Sequence, residues 1–395
     1  MEFAKRVSSL QGSAIREMFK LLGDPEMISF AGGAPSPELF PSVELAEISE
    51  EIIKNNPAVA LQYGVTEGYA PLAEQIRERM RKFGNLKPDN DVLVTSGGQQ
   101  ALDLCFKSLL NEGDVVVVEQ PSFIGGLNSL RSYGAKLIGV PVKDTGLDTD
   151  MLEDILKRTK IKLLYTITTF QNPSGITMDM ATRKRILELA EKYDFYVLED
   201  NPYFELRFKG ETMPSIKSMD DTGRVIYAGS FSKVLSAGMR LGWAVARNDI
   251  REKMVICKQV SDVHTTVLTQ MIAAEFFNRY SLDEHIEKAR NFYGKKCSLM
   301  LSAMDKYFPD YANFTRPEGG IFLWCALPEY FDTKKLLAKS IKEKVAFVPG
   351  FTCAIDMDAP CPDFRLNYSL PADDKIETGI RILADVIKNY DPEKD

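Results

Sequence analysis

Between residues 91 and 246 the chain alternates short, nearly unbroken apolar runs with stretches where apolar positions recur every third or fourth residue. The runs, rich in valine, leucine and isoleucine, open at 91 and continue at 114–119, 136–142, 162–168, 195–199, 225–228 and 241–246. Strands apolar on successive residues are buried on both faces. The helical pattern follows the first run to residue 110 and returns at 148–158 and 179–193. This alternation predicts an α/β fold: a mainly parallel sheet with helices on both faces. Upstream, 8–22 reads as a helix capped at Ser13 and closed by Gly23. A Gly/Pro-rich loop follows at 28–41, then an amphipathic helix at 42–55 and another ending near Phe83. From about residue 281 the texture changes to a long helix through 289–307, a strand within 316–327, a helix at 333–343, a short run at 345–350, a strand at 364–369 and a last helix ending by Tyr390, with 391–395 fraying. The predicted organisation is a large domain at 45–280, a smaller α+β domain at 281–395, and an N-terminal segment, 1–44, joining the small domain.

Composition leaves this picture intact and narrows the function. A chain of 395 residues, 45% hydrophobic and 27% charged, has the make-up of a globular protein with two domains. A net charge of −7 argues against nucleic acid or an anionic membrane as the main partner. No apolar run reaches bilayer length, and the N-terminus lacks a signal-peptide core. Cys105, Cys257, Cys297, Cys325, Cys353 and Cys361 are scattered, as expected for reduced thiols of a cytoplasmic protein. The two histidines, His264 and His285, are too few and too isolated for a zinc site, so no metal is expected. Without a Gly-x-Ser-x-Gly elbow they give little support to a Ser-His-Asp hydrolase. Proton transfer would then fall to another group, and a lysine is the obvious candidate.

In open α/β sheets ligands bind outside the carboxyl ends of the strands. Ser96-Gly97-Gly98-Gln99, Phe123, Asn172, Asp200, Tyr203 and Ser230-Phe-Ser-Lys233 all fall at or just after those ends. The Lys233 amine could form a Schiff base with an aldehyde. Ser230, Ser232 and Arg240 could hold a phosphate by charge-assisted hydrogen bonds. Residues 96–99 stand at a helix N-terminus, which favours an anion, yet match neither a Walker loop nor a dinucleotide fingerprint. Phe123 is either core or a flat face for a planar ring. Gly32-Gly33 either let backbone approach a ligand or form a plain turn. Tyr63 is a packed aromatic or a phenol donor, and Arg16 by itself reads as a solvated helix charge. Arg365 alternates with Phe364 and Leu366 and should point the opposite way.

The ordered set Ala31-Gly-Gly, Gln62-Tyr63, Ser96-Gly-Gly-Gln-Gln, Pro121-Ser-Phe123, Gln171-Asn-Pro-Ser-Gly175, Glu199-Asp-Asn-Pro-Tyr203, Ser230-Phe-Ser-Lys233, Arg240 and Phe364-Arg365 closely resembles the class I/II aminotransferases of fold type I. The resemblance covers nearly the whole chain. The Leu61-Gln-Tyr, Ser13-Ala-Ile-Arg16 and Gly229-Ser-Phe-Ser-Lys segments look most like the branch with 2-aminoadipate and kynurenine aminotransferases. It implies pyridoxal 5'-phosphate as cofactor, tethered to Lys233. Asp200 would pair with the ring nitrogen, Asn172 and Tyr203 would bond the ring's phenolic oxygen, and Phe123 would stack on the ring. Backbone at Gly97, Gly98 and Gln99, with Ser230, Ser232 and Arg240, would hold the phosphate. Tyr63 would reach the neighbouring subunit's site, implying a homodimer. Arg365 would clamp the substrate α-carboxylate, Gly33 would lie against the substrate, and Arg16 would meet an acidic side chain. Pro202 departs from the small residue many relatives carry. The implied reaction is ping-pong transfer of an α-amino group from an amino acid, possibly 2-aminoadipate or an aromatic one, to a 2-oxo acid such as 2-oxoglutarate. A lyase, decarboxylase or cyclase on the same scaffold is the alternative.

Overall fold

The computed structural model describes Ala4 and residues 26–392; the helix expected at 8–22, and with it Arg16, lies outside the described residues. Eight strands form the larger sheet, in the order Asn90–Thr95, Gly242–Arg247, Val225–Ser230, Tyr196–Asp200, Leu163–Thr166, Val115–Gln120, Lys136–Lys143 and Gly146–Leu147. The five strands from Val225–Ser230 to Lys136–Lys143 pair in parallel. Gly242–Arg247 runs antiparallel to both of its neighbours. The connection before it, 231–241, contains no helix, and a parallel return needs a crossover that such a segment does not supply. The sheet is therefore mixed, and mostly parallel.

Alternation within the strands explains why both faces are covered. Val116, Val118, Leu163, Tyr165, Leu198 and Ile226 pack into one core with Ala101, Leu102, Cys105 and Leu127. Val117, Leu164, Val197 and Val225 point the other way, against Leu152, Ile186, Leu189 and Ala190. The first group of helical residues belongs to Gly98–Leu109 and Ile124–Ser132, the second to Thr149–Leu156 and Met180–Tyr193. Asp148 and Asp179 cap the latter two helices, accepting from Met151 N at 3.2 Å and Thr182 N at 2.8 Å. Sequence reading did not register the helices Ile124–Ser132, Asn248–Gln259 and Val267–Arg279.

A four-stranded antiparallel sheet, in the order Asn313–Phe314, Phe322–Ala326, Phe364–Asn367 and Val348–Pro349, lies within residues 313–367. The apolar run at 345–350 is split rather than continuous. Val345–Ala346 pairs in parallel with Ile28–Ser29, whereas Val348–Pro349 joins the four-stranded sheet. The helix Asp373–Lys388 buries Ile376, Ile380, Leu383, Ala384 and Ile387, one face of a 3.6-residue period, and packs chiefly on the helix Leu282–Tyr307. These arrangements bring Gly33 and Arg365 over the carboxyl ends of the larger sheet's parallel strands.

Candidate active site

A cavity of about 510 Å³ opens where the two sheets meet. Gly33, Gly98, Gln99, Phe123, Asn172, Asp200, Tyr203, Ser230, Ser232, Lys233, Arg240 and Arg365 all line it. Twelve of the fifteen residues singled out in the sequence are thus brought to one place. Gly97 stands just behind the wall, against Arg240. Tyr63 does not line the cavity; it is 81% exposed, its ring edge-on to His264.

Lys233 follows the buried strand Val225–Ser230, and its Nζ donates to the Gly33 carbonyl at 2.5 Å. Burial, helped by the nearby Arg365 and Arg240 charges, pushes the amine down to about 8. A substantial neutral fraction near physiological pH follows, which nucleophilic or base chemistry requires.

Below the amine the chain builds an anion cradle. The helix Gly98–Leu109 begins at Gly97, which sits at φ +84°. A Cβ there would lie 2.3 Å from Arg240 Nη2, so only glycine lets the guanidinium approach. Arg240 itself is left-handed, at φ +54°, and Nη2 donates to the Ser96 carbonyl at 3.1 Å. Ser230 Oγ lies 2.9 Å from Ser232 Oγ and accepts from Ser232 N at 3.1 Å. Two hydroxyls, a helix N-terminus and a guanidinium thus face one corner.

Asp200 ends the strand Tyr196–Asp200 and is buried. Tyr165 donates to its Oδ2 at 2.9 Å, yet burial outweighs that bond and pushes the carboxyl up to about 7. Arg365 is buried on the opposite wall, as strand alternation predicted. Its Nη1 donates to Asn172 Oδ1 at 2.9 Å and its Nη2 to the Ala31 carbonyl at 3.0 Å. The guanidinium stacks 4.1 Å from the Phe322 ring centroid, and Phe322 meets Tyr203 edge-on at 5.6 Å. Arg365 Nε is buried with no partner among the described residues, leaving a donor for a ligand.

Sequence reasoning missed Tyr165, Phe322 and Glu119. Glu119 is fully buried and accepts from Thr166 Oγ1 at 2.6 Å, Ile167 N at 3.2 Å and Gln171 Nε2 at 3.0 Å. It anchors the turn that carries Asn172. The usable signal was a phenol and a carboxylate inside otherwise apolar strands, which need buried partners.

Lys233, Arg240 and Arg365 face one carboxylate, Asp200, around the cavity. That excess of positive charge fits a ligand bearing both a phosphate and a carboxylate. Pyridoxal phosphate with an amino acid meets this description, and an amine, a buried acid at a strand end and an anion cradle are the groups it requires.

The architecture and site define an enzyme acting on amino groups. The chain belongs to the pyridoxal-phosphate-dependent class I and II aminotransferases, whose family model, aminotransferase class I and II, matches residues 25–383. It is 42% identical over 392 residues to aromatic-amino-acid aminotransferase 1 of Thermococcus litoralis, covering 98% of this chain and 94% of that one. It is 40% identical over 389 residues to the 2-aminoadipate transaminase of Thermus thermophilus, covering 98% and 96%. The crystal structure of Pyrococcus horikoshii kynurenine aminotransferase, in complex with PMP, KYN and KYA, superposes with a TM-score of 0.94 at 42% identity, covering 98% and 96%.

Proposed function

We propose that this aminotransferase carries pyridoxal 5'-phosphate on Lys233 and moves α-amino groups from large apolar and aromatic amino acids to 2-oxoglutarate, with 2-aminoadipate as a further donor. The carrying observation is the cavity wall. Leu102, Phe123, Ile124, Ile167, Pro202 and Phe322 line it, and its lining cations among the described residues are Lys233, Arg240 and Arg365. Each of those three already has a task, so the remaining wall suits an apolar side chain. Relatives acting on aromatic amino acids and on 2-aminoadipate support the breadth.

When bound, the cofactor supplies an aldehyde and an electron sink. Arg365 orients the amino acid by its α-carboxylate, with Asn172 fixing the guanidinium. Lys233 Nζ, once free, would take the substrate Cα proton as base and return it as acid to the carbon on the far side of the amino nitrogen. Asp200 would hold a negative charge beside the ring nitrogen, and a cationic partner there would bring its raised pKa back down. Asn172 and Tyr203 would donate to the ring oxygen, Phe123 would cover one ring face, and Gly97, Gly98, Gln99, Ser230, Ser232 and Arg240 would hold the phosphate. Gly33 backbone bounds the substrate. The same reading assigns cofactor binding to a large domain at 45–280 and the carboxylate clamp to residues 281–395 with 1–44.

Acidic donors need a further cation, and Arg16 is the proposed source. In a panel of donors with 2-oxoglutarate, Arg16→Ala should lower kcat/KM for 2-aminoadipate by about tenfold or more and leave phenylalanine nearly unchanged. Equal losses on both donors would remove Arg16 from side-chain recognition. No turnover of any donor by wild type would remove the function itself.

Leu61, Tyr63, Val65 and Val260 are 67%, 81%, 61% and 75% exposed. Together with Tyr63's place outside its own cavity, they support a homodimer in which Tyr63 serves the neighbour's phosphate. Tyr63→Phe should weaken cofactor retention by up to about tenfold, and sedimentation should give twice the chain mass. A monomer with full activity would contradict this assembly. The six free cysteines fit a reducing compartment such as the cytoplasm.

A further inference from the structure

The helix Asn248–Gln259 places Lys258 inside the protein, where its side chain is fully buried. Its Nζ donates to both oxygens of Asp262, at 2.8 and 2.9 Å, and to Gln100 Oε1 at 2.8 Å. Asp262 Oδ2 accepts from Ser96 Oγ at 2.8 Å and from Gln100 Nε2 at 2.7 Å. Gln100 Oε1 in turn accepts from Ser96 N at 2.7 Å, and Thr265 Oγ1 stands 3.3 Å from Ser96 Oγ. Ser96 is thereby bonded through backbone and hydroxyl alike.

Ser96 is the residue whose carbonyl receives Arg240 Nη2. It also precedes Gly97, against which the guanidinium lies with no room for a Cβ. The lysine, the aspartate and the glutamine touch nothing in the cavity, yet they fix the turn from which both the helix N-terminus and Arg240 take their positions. A salt bridge with one fully buried member is a costly way to stabilise a fold, and a fixed geometry at a charged site is what such a pair can supply.

We propose that Asp262, locked by Lys258, is a positioning residue for the phosphate cradle. It acts through Ser96 on Arg240 and on the N–H groups of Gly98 and Gln99. The inference rests on the cofactor assignment above and names residues outside the cavity that govern affinity for the phosphate. The same network continues to the stretch around Tyr63. His264 Nδ1 lies 2.9 Å from the Thr265 carbonyl, and the His264 ring meets Tyr63 at 5.8 Å. In the proposed dimer, one loop therefore ties a subunit's own cradle to the residue it lends its neighbour.

The test uses apoprotein stripped of cofactor, with wild type, Asp262→Asn, Ser96→Ala and the double variant. Equilibrium titration with pyridoxal phosphate, and competition by inorganic phosphate alone, report the cradle without turnover. Asp262→Asn should weaken both ligands by about tenfold, the worth of one charge-assisted hydrogen bond. Ser96→Ala should weaken them less, and the double variant should fall no further than Asp262→Asn, since the two side chains act as one unit. With cofactor saturating, KM for the amino acid should stay within about twofold of wild type, because Arg365 is untouched. Unchanged affinity for both ligands in Asp262→Asn would overturn the proposal. So would equal losses in cofactor affinity, amino-acid KM and apoprotein Tm, which mark a general folding role. If wild type itself takes up no pyridoxal phosphate, the cofactor assignment fails instead.

Discussion

Lys233→Ala should lose transaminase activity by roughly 10⁴-fold or more, because in the proposed reading one side chain serves both as tether and as base. The protein should still fold. The Lys233 amine donates one hydrogen bond, to the Gly33 carbonyl, and its depressed pKa of about 8 shows that its charged form is disfavoured where it sits. Removing it relieves that cost. The cradle formed by Ser230, Ser232, Arg240 and the helix at Gly98 remains, so the variant should bind pyridoxal phosphate without a covalent bond. Borohydride reduction followed by mass spectrometry separates the cases. Wild type should carry the reduced adduct at Lys233 and the variant none. The pH dependence follows from the same depression. The amine is nucleophilic only when neutral, so covalent uptake of cofactor by wild-type apoprotein should quicken as pH rises through about 8 and level off above it. Activity of the variant within about tenfold of wild type would remove Lys233 from the chemistry.

Asp200→Asn should lower kcat by about 10²–10³, the usual cost of removing a placed charge in a dry site, while making the apoprotein more stable at neutral pH. The two effects share one cause. Burial raises the Asp200 carboxyl from 3.8 to about 7 despite the bond from Tyr165. Between the ordinary carboxylate range and about pH 7, folded apoprotein holds a proton that the unfolded chain has lost. Stability therefore falls as pH rises through that window. Asparagine keeps an oxygen for Tyr165 and never ionises. Its advantage should be absent near pH 4 and grow to on the order of 2–4 kcal/mol above pH 7. Denaturant melts of both apoproteins across that range measure it. A variant no more stable than wild type at pH 8 would show that Asp200 is not held against its preference for water. Glu119, pushed up to about 7 chiefly by burial and in small part by the Asp200 charge, should add a slope of the same sign to both proteins, smaller in the variant, where that charge is gone.

Much of this site was legible because its residues occupy strand ends. Asp200, Ser230 and Lys233 stand where an apolar run stops, and Asn172 sits in the turn that follows one. Arg365 was legible from alternation, since a strand with Phe364 and Leu366 in a core sends the residue between them elsewhere. Tyr165 and Glu119 were not. A polar group inside an apolar run announces a need for a partner but not its identity, which depends on the neighbouring strand. Tyr165 finds Asp200, 35 residues away, only because Leu163–Thr166 and Tyr196–Asp200 are adjacent. Ser96 read as part of an anion-binding turn, but the Lys258–Asp262 pair behind it carries no local pattern. Tyr63, exposed and outside its own cavity, has no local pattern that assigns it a task.

The apolar periods by themselves determined the longer strands, most of the helices and the burial of both faces of the larger sheet, because those properties depend on residues within a few positions of one another. The two-residue strands Ile28–Ser29, Gly146–Leu147 and Asn313–Phe314 are too short to show a period. Folding in three dimensions decided the antiparallel return of Gly242–Arg247, the division of the run at 345–350, and the meeting of Lys233 with Gly33 and of Arg365 with Asn172. Those last pairs lie 200 and 193 residues apart. Such contacts are set by strand order and by the docking of one sheet over another. Short-range patterning constrains which faces are buried, and many arrangements of the same buried faces would leave these four residues far apart.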